Sequence, residues 1–340
     1  MKRRSLISLL TIFCLSLLLS VSCNSTSPSS NRDDSQQIVI GYSNWAGWWP
    51  WAIAEEEGLF AKNGANVRMQ WFDGYLESME AFAAGQLDGN CQTLNDTIAF
   101  AGDSVNGQVV VLVNDNSAGN DKIIVSEEIN DIQDLRGKKV AIEEGVVDDF
   151  LLTIALEQNG MSRDDVEIVN LETGAAAAAF AAGKTDAVGA FPPFWLTELQ
   201  REGSKELISS KDFPGAIPDL LVVSQKLIDE QPDQVQALIN TWFDTLDFMA
   251  KNPEKADEIM AKRANISIEE LQLFKEGTKI FTIEENLEAF SSGDGIEHMP
   301  TAAKRMTLFM LDVGFIEQAP DLNKLFDDRF VKAYSQSQNL

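Results

Sequence analysis

Histidine is almost missing from these 340 residues: His298 stands alone. A histidine-built zinc site and an H-E-x-x-H helix are therefore excluded. No G-x-x-x-x-G-K-[ST] loop, no G-x-G-x-x-G after a strand and no G-x-S-x-G elbow occurs, so nucleotide binding and serine hydrolysis lack their parts. Cysteine is scarce, at three residues. Basic residues number 27 against 53 acidic ones, a net charge of −26. That balance argues against nucleic acid and anionic lipid surfaces as partners. Apolar runs are short. Leu6 to Leu19 falls below the roughly 20 residues that a spanning helix needs.

The Leu6–Leu19 run reads instead as the core of a signal peptide, residues 1–22, behind the positive Lys2, Arg3 and Arg4. Ser20-Val21-Ser22-Cys23 resembles a bacterial lipobox, with Ser20 where leucine is usual. Lipidation at Cys23 is the expectation, and plain secretion with another cut is the alternative. Residues 23–37 are polar and read as a flexible tether, so the only membrane contact expected is through the lipid. Cleavage would take the net charge to −29. Cys91 would then be the one thiol besides Cys23, which rules out an internal disulfide and leaves a large core to hold the fold.

From Ile38 the chain alternates strands and helices, as in α/β proteins with parallel-rich sheets. Strands are expected at Ile38–Tyr42, Val67–Trp71, Gln108–Val113, Lys139–Ile142, Val166–Val169 and Asp186–Ala190. Helices are expected at Ala52–Lys62, Tyr75–Ala84, Phe150–Gln158 and Gly174–Ala182. After about Asp233 the pattern is helical, with Val235, Leu238, Ile239, Trp242, Leu246 and Met249 on one face. The rhythm restarts once, which divides the chain into two lobes: 38–120 and 223–335 for the first, 121–222 for the second. Two crossings, near Gly119–Ile124 and Leu220–Val223, would form a hinge beside a ligand cleft at the carboxyl ends of the strands.

Several runs resemble the nitrate/sulfonate/taurine-type ABC transporter substrate-binding family. These are Gly41-Tyr42-Ser43-Asn44-Trp45 through Gly58-Leu59-Phe60, then Ala83-Ala84-Gly85-Gln86-Leu87-Asp88, Asp134-Leu135-Arg136-Gly137-Lys138 and Ala181-Ala182-Gly183-Lys184-Thr185-Asp186. Trp242-Phe243-Asp244 and Lys251-Asn252-Pro253-Glu254 continue the likeness, which spans nearly all of 38–335 in the same order. The resemblance implies a two-lobed type II periplasmic-binding-protein fold with a C-terminal helical region. It also implies an extracytoplasmic location, a membrane permease partner and a cytoplasmic ATPase partner. It implies neither metal nor cofactor. A thiamine-pyrimidine synthase shares the fold family but uses histidine. Enzymatic function is therefore the remote alternative here.

In such a fold the pocket comes from loops after strands. The candidates are Asn44, Trp45, Trp48, Asp73, Thr93, Asn95, Asp96, Glu144, Asp148 and Phe191. Asp73 and Asp148 also suit helix N-caps, and any one tryptophan could be core. The pocket segments carry no Arg, Lys or His, whereas an anion receptor typically offers such groups. Carboxylates beside aromatic faces suit a small organic cation of guanidinium, amidine or amine type. A small anion such as nitrate, taurine or an alkanesulfonate is the alternative that the family name supplies.

Overall fold

The computed structural model describes residues 37–338, so the expected signal peptide and Cys23 lie outside the described residues. Four strands of five to nine residues open the first sheet. β1 is Ile38–Tyr42, β2 Val67–Trp71, β3 Gly89–Thr93 and β4 Val109–Ser117. The second sheet takes β5 (Lys122–Val125), β6 (Lys139–Ile142), β7 (Glu167–Asn170), β8 (Ala187–Ala190) and β9 (Lys205–Ser209). β10 (Pro218–Val223) and β11 (Thr278–Ile280) return to the first sheet. The strand orders are β11-β4-β10-β3-β1-β2 and β7-β6-β8-β5-β9.

β4 and β10 are buried on both faces throughout, which explains why their apolar runs are continuous rather than alternating. β1 pairs parallel with β2 and β3, and β6 parallel with β7 and β8. The strands at the crossings run the other way: β10 is antiparallel to β3 and β4, and β5 is antiparallel to β8 and β9. The segment expected to be a return hinge, Leu220–Val223, is thus a central strand of the first sheet. By sheet membership the chain crosses over between Ser117 and Lys122 and crosses back between Ser209 and Pro218.

The expected helix over Ala52–Lys62 is two helices, Pro50–Glu56 and Leu59–Lys62. Gly58 breaks it with φ at +67°, a left-handed conformation that glycine adopts without a Cβ clash. After β10 the described chain is helical except for β11. In the long helix Pro232–Lys251, Val235, Leu238, Ile239 and Trp242 are buried, while Leu246 and Met249 are half-buried. Trp242 meets Trp51 at 4.8 Å between ring centroids, and Trp51 stacks on Phe60. Trp49 packs edge-on against Phe274. Two of the four clustered tryptophans therefore anchor the C-terminal helices to the first sheet, which leaves Trp45 and Trp48 for other work. No described helix is long and apolar enough to cross a membrane.

Candidate functional site

The strand ends of both sheets face a common cleft with two chambers. The inner one, of about 10 Å³, is lined by Asn44, Trp45, Trp48, Tyr75, Thr93, Asp121, Val147, Phe191 and Asp219. The outer one, of about 630 Å³, is lined by Asn44, Asp73, Gly74, Leu76, Glu77, Glu80, Glu143, Glu172, Gly174 and Phe194. Asn44 borders both. Each chamber takes residues from segments of both sheets. No Lys, Arg or His lines either one.

The walls of the inner chamber are aromatic. Trp45 and Trp48 lie 6.3 Å apart, Trp48 and Tyr75 5.7 Å, and Tyr75 meets Phe191 edge-on at 6.2 Å. Carboxylates fill the gaps between them. Antiparallel pairing places Asp219 of β10 opposite Asp115 of β4. Trp45 Nε1 donates to Asp115 Oδ1 at 2.9 Å, behind the ring that lines the chamber. A Cβ on Gly47 would stand 1.8 Å from Asp115 Oδ2, so only glycine lets the tryptophan loop pass so close.

The donors along the wall are mostly spent. Tyr75 Oη and Thr93 Oγ1 each donate to Asp96 Oδ2 at 2.7 Å, and Asn95 Nδ2 donates to Oδ1 at 2.7 Å. Trp48 Nε1 and the Asn44 amide are the side-chain donors in the lining without a partner among the described residues. Acceptors, by contrast, are left over. Asn44 Oδ1 and Asp121 Oδ2 line the chamber with no partner, as do both oxygens of Asp148 behind it, while Asp115 and Asp219 share a hydrogen bond between their carboxyls. Asp115, Asp121, Asp148 and Asp219 are all at least 98% buried.

Such crowding penalises the charged forms. Burial pushes Asp121 up to about 7, against hydrogen bonds from Ser117 and its own backbone and the charge of Lys122. Burial pushes Asp115 up to about 7, opposed by the Trp45 indole. Asp219 is pushed well above the carboxylate range by burial and then by the Asp115 charge. Asp148 is raised by burial and by Asp121, Glu143, Glu198 and Asp96. Burial takes Asp96 to about 7 despite its hydrogen bonds from Thr93 and Tyr75. Glu143 is likewise raised to about 7, chiefly by burial. Lys122 is the nearest cation, but its ammonium pairs with Glu206 and sits over the Trp195 ring.

The expected site residues divide clearly. Asn44, Trp45, Trp48, Thr93 and Phe191 line the inner chamber. Asp73 lines the outer one and accepts from Trp71 Nε1. Asn95 and Asp96 form the bonded layer behind Thr93. Asp148 is buried beside Val147, in the first turn of the helix Val147–Gln158. Glu144 does not belong with them: it lines neither chamber, is exposed, and pairs with Arg163 at 3.0 Å. The same arginine takes Asp149 at 2.7 Å, so a basic residue outside the pocket loops neutralises that corner. Asp115, Asp121 and Asp219 were missed by the sequence reading. Their one signal is a carboxylate bordering an apolar strand at each expected crossing.

Residues 31–264, more than half of the chain, match the NMT1-like family. The chain belongs to the NMT1-like family. Its relatives place this NMT1-like protein among nitrate/sulfonate/taurine-type ABC substrate-binding proteins, as the sequence runs implied. A Brucella abortus protein named only as a binding protein is 28% identical over 271 residues, covering 78% of this chain and 83% of that one. The taurine-binding periplasmic protein of Escherichia coli is 27% identical over 225 residues, 64% of this chain and 69% of its own. Among solved structures, the alkanesulfonate-binding protein of Xanthomonas axonopodis pv. citri, bound to MOPS, superposes with a TM-score of 0.72 at 15% identity. It covers 86% of this chain and 98% of that one. A desulfurization enzyme also shares the fold, with a TM-score of 0.61 at 16% identity over 89% of this chain and 100% of that one. The NMT1-like fold therefore hosts both binding and catalysis, while the relatives by sequence are binding proteins.

Proposed function

We propose that this chain is the extracytoplasmic substrate-binding component of an ABC importer and that its two sheets are the centres of two lobes closing on a small cation. The family supports the importer role and, with it, permease and ATPase partners. The comparisons favour an anion over the cation: relatives are named for taurine and aliphatic sulfonates, and none supports a guanidinium-type ligand. A small anion is therefore the second reading.

One observation carries the cation. The inner chamber has spent the donors of Trp45, Tyr75 and Thr93 on its own carboxylates, keeps only Trp48 Nε1 and the Asn44 amide free, and leaves Asn44 Oδ1 and Asp121 Oδ2 as acceptors without a partner. An anion needs donors or positive charge in its pocket, and here it would face buried aspartates across a low-dielectric gap. A cation satisfies the same atoms and gains attraction from the rings, about 0.5–2 kcal/mol.

Closure is testable by small-angle scattering on the mature domain. Saturating guanidinium should shrink the radius of gyration and shift tryptophan emission, because Trp45 and Trp48 share the chamber with Phe191 across the cleft. An unchanged radius with bound ligand would rule out the clamp. Lipid anchoring at Cys23 is part of the proposal. Cys23→Ser should move the protein from the membrane to the soluble extracytoplasmic fraction, and a mature N-terminus elsewhere by mass spectrometry would refute it.

A further inference from the structure

We infer that the inner chamber chooses its cation by N–H donors, taking a planar guanidinium or amidinium head and rejecting a permethylated ammonium. The inference rests on the cation reading above and narrows it. An aromatic box alone would not discriminate in this way. Trp45, Trp48, Tyr75 and Phe191 form a row of rings, each 5.7–6.3 Å from the next, the kind of surface that also holds quaternary ammonium ions.

The difference lies in the oxygens between the rings. Asn44 Oδ1 and Asp121 Oδ2 come from two separate segments and have no donor, while the Asp219 carboxyl beside them meets only that of Asp115. Asp121 and Asp219 are 2% and 1% exposed, so water does not readily complete them. A buried acceptor left without a donor costs free energy, more when it is charged. Tetramethylammonium brings charge but no donor, and its methyl groups would cover those oxygens while leaving them unpaired. Guanidinium spreads its N–H groups around a plane and can give bonds in three directions at once. A carboxylate takes such a group in charge-assisted, often paired, hydrogen bonds. Asp96 is not part of this selection, because Tyr75, Thr93 and Asn95 already fill it. The chamber holds about 10 Å³ in this structure, so its walls must part to admit a guanidinium head, which limits the ligand's size.

Calorimetric titration of the mature domain with guanidinium, methylguanidinium, acetamidinium, tetramethylammonium, taurine and nitrate tests this. Guanidinium should bind about a hundredfold or more tighter than tetramethylammonium, corresponding to two lost donors at roughly tenfold each. Asn44→Leu should weaken guanidinium while leaving tetramethylammonium unchanged or improved, which separates hydrogen bonding from a folding defect. Equal or tighter binding of tetramethylammonium would overturn the inference and leave the cation reading in place. Binding of taurine or nitrate with every cation silent would overturn both.

Discussion

Asp219→Asn and Asp121→Asn should each raise the melting temperature of the ligand-free protein and weaken guanidinium binding by roughly tenfold to a hundredfold. Both carboxylates are buried, Asp121 has an oxygen without a partner, Asp219 meets only the Asp115 carboxyl, and no cation faces them directly. In the empty protein such a group costs stability or must hold a proton. An amide of the same shape removes that cost. In the complex the same change removes a charge-assisted hydrogen bond, worth about 1.5–3 kcal/mol. Opposite effects on stability and affinity are what a binding site gives when its strain is relieved by ligand. A purely structural aspartate would lose stability on substitution. An anion site would gain affinity from the lost charge. Thermal melts and calorimetry on the two variants read both signs. Asp96→Asn should behave differently and destabilise, since Asp96 accepts three internal hydrogen bonds.

The ligand-free protein should also lose stability as pH rises from about 5 to 8. Asp96, Asp115, Asp121 and Glu143 are raised to about 7, and Glu198 to about 8, mainly by burial. The folded state therefore holds protons that the unfolded chain, with reference values of about 3.9 and 4.3, has released. More protons on the folded side means stability falls with rising pH across that interval. The contribution is full below the unfolded values and is lost as pH passes the folded ones. With Asp148 and Asp219 raised as well, a drop of about 5–10 °C in melting temperature is expected. Saturating guanidinium should flatten the slope, because a bound cation favours the charged carboxylates. Cation affinity should accordingly weaken as pH falls below about 7, a higher window than reference carboxylates alone would give. A melting temperature that climbs between pH 5 and 8 without ligand would contradict the account.

Local pattern made much of the fold readable. Ile38–Tyr42, Val67–Trp71 and Lys139–Ile142 begin and end where the sequence pattern places them. The tryptophan loop, the Thr93 segment and Phe191 were readable as pocket because each follows a strand whose end can be located. The antiparallel strands were not. β5 has four residues and β9 is largely half-buried, and neither pattern says which neighbour it will join. β10 looked like a return crossing because its position in the sheet depends on pairing with β3 and β4, more than 100 residues earlier. For the same reason the Asp115–Asp219 juxtaposition was invisible: it is created by register between distant strands. Glu144 failed in the opposite way. It sits in a pocket loop, but Arg163, 19 residues on, draws it outward.

The most direct test is calorimetric titration of the unmodified mature domain near pH 7.5 with guanidinium, taurine and nitrate in turn. The account predicts one saturable site for guanidinium and no measurable heat from taurine or nitrate. Saturable binding of taurine or nitrate, with guanidinium silent, would contradict it and establish this importer component as an anion receptor.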